Sequence, residues 1–354
     1  MQFEFSEDQA LLQQTVRDFL EGECTPEWIR EIWQSESGHS PEFWSKLAEV
    51  GVPGLRISEA HDGLGLDEID FVLLHEEVGR AALPAPVIAT AAVAAPLLAE
   101  SGRTDLAERW LPAIAGGEAT VAVAHPASPL VADAAVARLL LVLGDEVHAV
   151  PAEDVRATAQ PANDPGRRLF SVDWTPSDET LVAAGAEARA LTARAFDRGA
   201  LACAAQQLGV CDRLITLAVD YATQRQQFGV PIGSFQAVKH MLANVKVELE
   251  YARSLVYRAA HTVAREGAPR AADVSAAKLA ASDAALGGAK TALQVHGAIG
   301  YTWEQDLHIW MRRAWSLDLA WGDNAFHRAR LADAVIDGVH PAEPFGYAAP
   351  ETAH

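Results

Sequence analysis

The second half of this chain limits its fold most, because it is a succession of long helical patterns interrupted by one short rigid break. From Leu201 to Gln224 apolar residues recur at helical spacing (Leu208, Cys211, Ile215, Tyr221), with Gly209 as the only glycine and no proline. Gly229, Pro231 and Gly233 then punctuate the stretch from Arg225 to Gln236, and Ser234 is the expected N-cap of a helix from Phe235 to about Glu266. Two antiparallel helices joined by so fixed a loop set Arg225, Phe228 and Gln236 on one edge. A cation, an aromatic face and an amide together suit a nucleotide diphosphate. The same trio also fits a cation at a helix C-terminus, an aromatic buried under the turn and a solvated amide.

Helical patterns over 185–226, 235–266, 269–296 and 305–336 predict an antiparallel four-helix bundle. The first 115 or so residues are helical too, starting at Ser6 with a capping-box spacing to Gln9 and again at Ser40-Pro41. A turn-rich stretch, 51–66, precedes helices over 67–82 and 86–102. Between the helical halves lie four β-prone runs, beginning at Ala119, Arg138, Glu146 and Leu169. The expected fold is therefore mostly α with a small central β domain. Its parts are an N-terminal helical domain over 1–116, a shortened β domain over 117–183, a bundle over 184–340 and a loose tail over 341–354.

A formal net charge of −20 argues against nucleic acid or an anionic membrane as partner. No apolar run is long enough to span a bilayer, and the acidic start lacks a signal-peptide core. Cys24, Cys203 and Cys211 have no metal-like spacing and suggest reduced thiols in a cytoplasmic protein. A di-iron bundle would need Glu-x-x-His pairs; Glu304 and His308 are four apart and have no matching set. Phosphate-loop, dinucleotide and nucleophile-elbow motifs are missing from the sequence.

A second motif runs from Gln294 to Glu304, where Gly297 and Gly300 end a helix and allow close backbone approach. With Arg-x-x-Phe-Gly-x-Pro-Ile-x-x-Phe-Gln followed by Gln-x-x-Gly-x-x-Gly-Tyr, the chain resembles the acyl-CoA dehydrogenase family along nearly its whole length. The resemblance implies FAD shared between subunits of a tetramer, with these motifs holding the ADP half of a flavin whose ring lies in the neighbour. Arg225 would then meet the pyrophosphate and Phe228 the adenosine, with Gln236, Gln294 and Gly297 on the remaining polar atoms. It also implies α,β-dehydrogenation of an acyl-CoA, which needs a carboxylate base over the α-carbon.

Neither base position of the family holds a carboxylate here. The usual one, 27 residues after the motif's Gln, is Trp321; the alternative, 29 before the motif's Phe, is Gly199. Asp197, Asp318 and Asp323 lie nearby and are expected to be solvated or capping acids, with Asp323 the weak candidate for a base. The middle domain has Val123-Ala-His-Pro126 where the family has Thr-Glu-Pro, and lacks its Gly-Ser-Asp. The losses fall on the side that builds a site within the subunit, and the elements reaching into a neighbour survive. That asymmetry resembles the base-less subunit of actinobacterial heteromeric, steroid-type acyl-CoA dehydrogenases, an α2β2 assembly with a homologous catalytic partner. A self-sufficient homotetramer with an atypical base and a flavin-free helical scaffold are the alternatives. His75, Glu76 and Glu77 are expected on the polar face of an amphipathic helix; Trp310, Trp315 and Trp321 in core or interface, the Trp321 indole filling the space of the base.

Overall fold

A computed structural model describes residues 4–267 and 269–336, so the expected tail falls outside the described residues. The chain opens with α1 (Glu7–Glu23), α2 (Pro26–Gln34), α3 (Pro41–Glu49), α4 (Glu68–Arg80), α5 (Ala95–Glu100) and α6 (Thr104–Ala115). Side-chain caps start them where the sequence asks: Ser6 and Gln9 form a full capping box, and Ser40 Oγ accepts from Phe43 N. The stretch expected as one α-helix over 86–102 is π-helical from Ile88 to Ala94 before α5 begins. Thr90 within it donates to Val121 O (3.1 Å) and accepts from Val121 N (2.9 Å), tying the widened turn to the first strand.

Seven short strands follow: β1 (Val121–Ala124), β2 (Val131–Ala132), β3 (Leu139–Val142), β4 (Glu146–Pro151), β5 (Arg156–Gln160), β6 (Leu169–Asp173) and β7 (Leu181–Ala184). They form one sheet in the order β1-β3-β4-β7, with β1 and β3 parallel, and a second in the order β2-β6-β5. The four apolar runs become β1, β3, β4 and β6. The other three strands are too short or too polar to stand out in the sequence.

The bundle is α7 (Gly185–Gln224), α8 (Gln236–Ala264), α9 (Arg270–His296), α10 (Leu307–Leu319) and α11 (Asn324–Ile336). Between α7 and α8 a two-residue hairpin pairs β8 (Gln226–Gln227) with β9 (Val230–Pro231). Two expectations need correction. Ser234 is not the cap of α8: its hydroxyl donates to Pro231 O (2.7 Å) inside a 3-10 turn, and Phe235 takes the N-cap position without a side-chain bond. The single helix expected over 305–336 is broken at Ala320–Asp323, where Trp321 (φ 57°) and Gly322 (φ 90°) are both left-handed.

α7 is the axis of the molecule, packed by α9, α4 and α8. It crosses α4 at two glycines. A Cβ on Gly79 would come 1.9 Å from Gln206 O, and one on Gly209 1.8 Å from Glu76 O, so only glycine permits this approach. The crossing buries the expected polar face of α4. Glu77 is bound by Arg17 and Gln13, Glu76 by Arg253, and His75 contacts Gln206. Among the described residues no helix is long and apolar enough to cross a membrane, no cluster of metal-ligating side chains forms, and the three cysteines are free and buried.

Candidate functional site

The two motifs stand side by side at one end of the bundle. Tyr221, in the last turn of α7, stacks on His296 at the end of α9 (4.4 Å between centroids, 21° between planes). That contact brings the Arg225 loop next to Gln294 and Gly297. Arg225, Phe228, Gln236 and Gln294 are all exposed, and the polar side chains make no hydrogen bond or ion pair among the described residues. Phe228 is 94% exposed, which overturns the alternative of an aromatic buried under the turn. It sits at φ 53° with Gly229 at φ 80°, the two positive angles of a tight hairpin turn that favours Asn, Asp or Gly. Gly297 closes α9 at φ 65° and ψ −141°, backbone open essentially to glycine alone; a Cβ there would meet nothing, so conformation rather than space fixes the residue.

The pocket around Trp321 is the opposite kind of place. The indole, 5% exposed, lies parallel to His125 (4.3 Å, 13°) and directly on Gly199, where a Cβ would come 2.4 Å from its ring atoms. The two positions at which the resemblance would place a base therefore touch, the indole lying where a side chain on residue 199 would stand. The break bearing Trp321 is held from three sides. Cys203 Sγ donates to Leu317 O (3.2 Å), the buried Lys278 Nζ to Asp318 O (3.1 Å), and His327 Nε2 to Trp321 O (2.8 Å). These donors satisfy carbonyls that the end of α10 leaves open. Burial pushes the Cys203 thiol pKa up and the Lys278 amine down. Burial also lowers His125 to about 4, helped by Arg167, and His327 to about 4, so both rings are neutral at pH 7.

A segment of the β domain closes the pocket from its other side. Arg313 pairs with the buried Asp164 (2.5 Å) and donates to Leu83 O, while Arg167 donates to Ser316 O (3.1 Å). What remains is a cavity of about 60 Å³ lined by Ile88, Ala89, Val123, His125, Arg167 and Trp321 among others. That is room for a few waters and none for a tricyclic ring. The residues at the Arg225 edge could thus hold the ADP end of FAD, and the Trp321 pocket has no room for its ring.

The acids near the base positions are occupied otherwise. Asp323 is exposed and its Oδ1 accepts from Phe326 N (2.8 Å), which caps α11. Asp197 is not solvated, as expected from sequence, but fully buried between Arg270 (2.7 Å) and Arg330 (2.6 Å). Asp318 is half-buried, one turn before Trp321, with Oδ1 unpartnered among the described residues. Sequence reasoning missed Tyr221, His125, Lys278, Cys203 and His327. Only the aromatic–aromatic pairs carried any signal, and nothing local announces which of many His and Tyr residues will meet.

An N-terminal helical region, a small split sheet and a long-helix bundle that carries both motifs make up the fold expected of the dehydrogenase family that the motifs resemble. The models of the acyl-CoA dehydrogenase N-terminal and C-terminal domains match residues 6–118 and 189–336, and the chain belongs to the acyl-CoA dehydrogenase family. It is 33% identical over 310 residues to acyl-CoA dehydrogenase IpdE2 of Mycolicibacterium smegmatis, covering 87% of this chain and 93% of that protein. A chain of the ChsE4-ChsE5 complex from Mycobacterium tuberculosis superposes with a TM-score of 0.87 at 25% identity, covering 95% of this chain and 99% of that one. The Tcur3481-Tcur3483 steroid ACAD shares the fold, with a TM-score of 0.84 at 24% identity over 95% of this chain and 99% of that chain.

Proposed function

We propose that this chain is the base-less subunit of a heteromeric, FAD-dependent acyl-CoA dehydrogenase and supplies the ADP-side half of a flavin whose ring lies in a homologous partner. One observation carries the reading: within one subunit the outward edge displays unpartnered Arg225, Phe228, Gln236 and Gln294, while the inward pocket is filled by Trp321 and holds about 60 Å³. A charge-assisted contact from Arg225 to the pyrophosphate would contribute about 1.5–3 kcal/mol. When bound, the flavin supplies the hydride acceptor; this chain's residues bind and orient its diphosphate, and the partner holds the base.

Surface character also supports a partner. Val247, Tyr251 and Leu255, at four-residue spacing on α8, are 54%, 72% and 36% exposed. An apolar row of that kind marks a protein interface. The named complexes among the similar structures, one of them described as a steroid ACAD, favour a bulky CoA thioester as the substrate of the assembly. Cytoplasmic location fits the buried free thiols.

Flavin absorbance of the chain purified alone and co-purified with a homologous dehydrogenase subunit tests the proposal. Flavin only in the co-purified sample, near one FAD per pair of chains, is the expected result. One flavin per chain from the single protein would overturn it in favour of a self-sufficient enzyme. No flavin in either sample would leave a scaffold.

A further inference from the structure

A second cavity, of about 340 Å³, opens between α1, the C-terminal end of α4, the middle of α7 and α10. Its size is at the small end of organic-ligand pockets. Leu20, Cys24 and the Trp310 ring give it an apolar lining, and Arg17, Arg80 and Arg213 bring three guanidinium groups to it. In a chain of net charge −20 that concentration of cations is unusual.

Two of the three are neutralised inside the protein. Arg17 is bidentate on the buried Glu77, and Arg80 pairs with Asp212, which also meets Lys246 at 3.6 Å. Arg213 is different. It makes no ion pair and no hydrogen bond among the described residues, and its guanidinium lies over the Trp310 ring at 5.2 Å from the centroid. Trp310 is itself fixed by Nε1 donating to Arg80 O (2.7 Å). Burial and the neighbouring Arg80 press the Arg213 pKa downward, while Glu21, Asp220 and Asp306 act in the opposite direction without pairing with it among the described residues.

We infer that this cavity is a binding site for a small organic monocarboxylate, its carboxylate bidentate on Arg213 and its apolar body on Trp310 and Leu20. Arg213 has carboxylates nearby but no direct ion-pair partner among the described residues, which leaves its fork open to one carboxylate, and the exposed Glu21 at the cavity's edge disfavours a dianion such as phosphate. The site is independent of the flavin edge and of the partner proposed above.

Titration of the full chain, alone or in its complex, with hexanoate, benzoate and inorganic phosphate tests it by calorimetry. Saturable binding of the carboxylates is expected, weakened about tenfold or more in Arg213→Gln and less in Arg213→Lys, which keeps the charge but loses the fork. Trp310→Phe, with the guanidinium intact, should show weaker binding by a smaller factor. Carboxylates that fail to bind, or bind Arg213→Gln with unchanged affinity, overturn the site. Phosphate binding more tightly than both carboxylates overturns the ligand class. Thermal melts of each variant establish that it is folded before binding is read.

Discussion

The Arg225 edge and the Trp321 pocket are built from similar residues used in opposite senses. At the edge, an arginine, a phenylalanine and two glutamines are held out by a strained hairpin and a glycine cap, the polar groups without a hydrogen bond among the described residues and the ring in an edge contact with Phe235. In the pocket, a tryptophan and a histidine are turned inward and stacked on each other, and two arginines are bound to carbonyls of the same chain. On the proposed reading the unpartnered groups serve a ligand or another subunit, and the packed groups serve stability.

The comparison breaks first if the indole is not what empties Gly199. Gly199→Ala adds a Cβ 2.4 Å from the Trp321 ring, and an overpacked core residue costs about 1–3 kcal/mol. Gly199→Glu should prevent folding altogether. In a Trp321→Ala background, itself destabilised by about 3–5 kcal/mol, the same Gly199→Ala change should become neutral or stabilising, since alanine is the better helix former. Urea midpoints of the four proteins give the coupling. An alanine penalty equal in both backgrounds would mean that the indole and Gly199 are not in contact.

Much of this was legible in the sequence, and the part that was not has a physical reason. Helix spacing and glycine punctuation located α7, α8 and α9 to within a few residues, because burial of one face dictates a period. The break at Trp321 was hidden because Trp-Gly-Asp looks helical unless Lys278, Cys203 and His327, from three other helices, are known to bind its carbonyls. Likewise His75, Glu76 and Glu77 resemble a solvated face until the close crossing at Gly79 and Gly209 covers them. Arg225, Phe228, Gln236, Gln294 and Gly297 were visible as a motif, but the stack of Tyr221 on His296 that unites its halves was not.

Acid should destabilise the pocket. His125 and His327 have folded-state pKa values near 4 against an ordinary 6.5, so as pH falls the unfolded chain takes up protons first. Their contribution is fully present above about pH 6.5 and is lost as the pH drops toward 4, by roughly 2 kcal/mol per histidine at pH 5. Asp133, its carboxyl pushed up to about 6 by desolvation, acts in the opposite direction over the same range, while the buried His75, lowered to about 3, adds to the fall. Urea unfolding at pH 7 and pH 5 measures the net fall, and His327→Gln, which keeps a donor for Trp321 O, should flatten it. Stability equal at both pH values would contradict the two neutral rings.

At the edge the expected pattern is a ligand effect without a stability effect. Arg225→Ala should leave the melting of the flavin-free chain unchanged, because the guanidinium has no partner to lose. In the co-purified assembly the same change should weaken FAD by about tenfold to a hundredfold, the equivalent of one charge-assisted contact. Fluorescence of released flavin on dilution reads this directly. Retention equal to the unmodified assembly would remove Arg225 from the proposed site.

The smallest effect separates the two regions most sharply, because it has opposite signs in stability and in binding. Phe228 occupies a left-handed conformation that disfavours a bulky side chain, yet its ring is 94% exposed and has only an edge contact with Phe235 (6.2 Å, 81°). Asparagine is well suited to that turn position. Phe228→Asn should therefore stabilise the isolated chain by about 0.5–1 kcal/mol, within the strain of a left-handed residue, while lowering flavin retention in the assembly. No core change in this molecule is expected to combine those signs: Gly199→Ala only loses stability, and it leaves the edge untouched. If Phe228→Asn instead destabilised the free chain, the ring would be packing on the subunit itself, and the edge would belong with the pocket as a piece of structure rather than a surface held ready for a nucleotide.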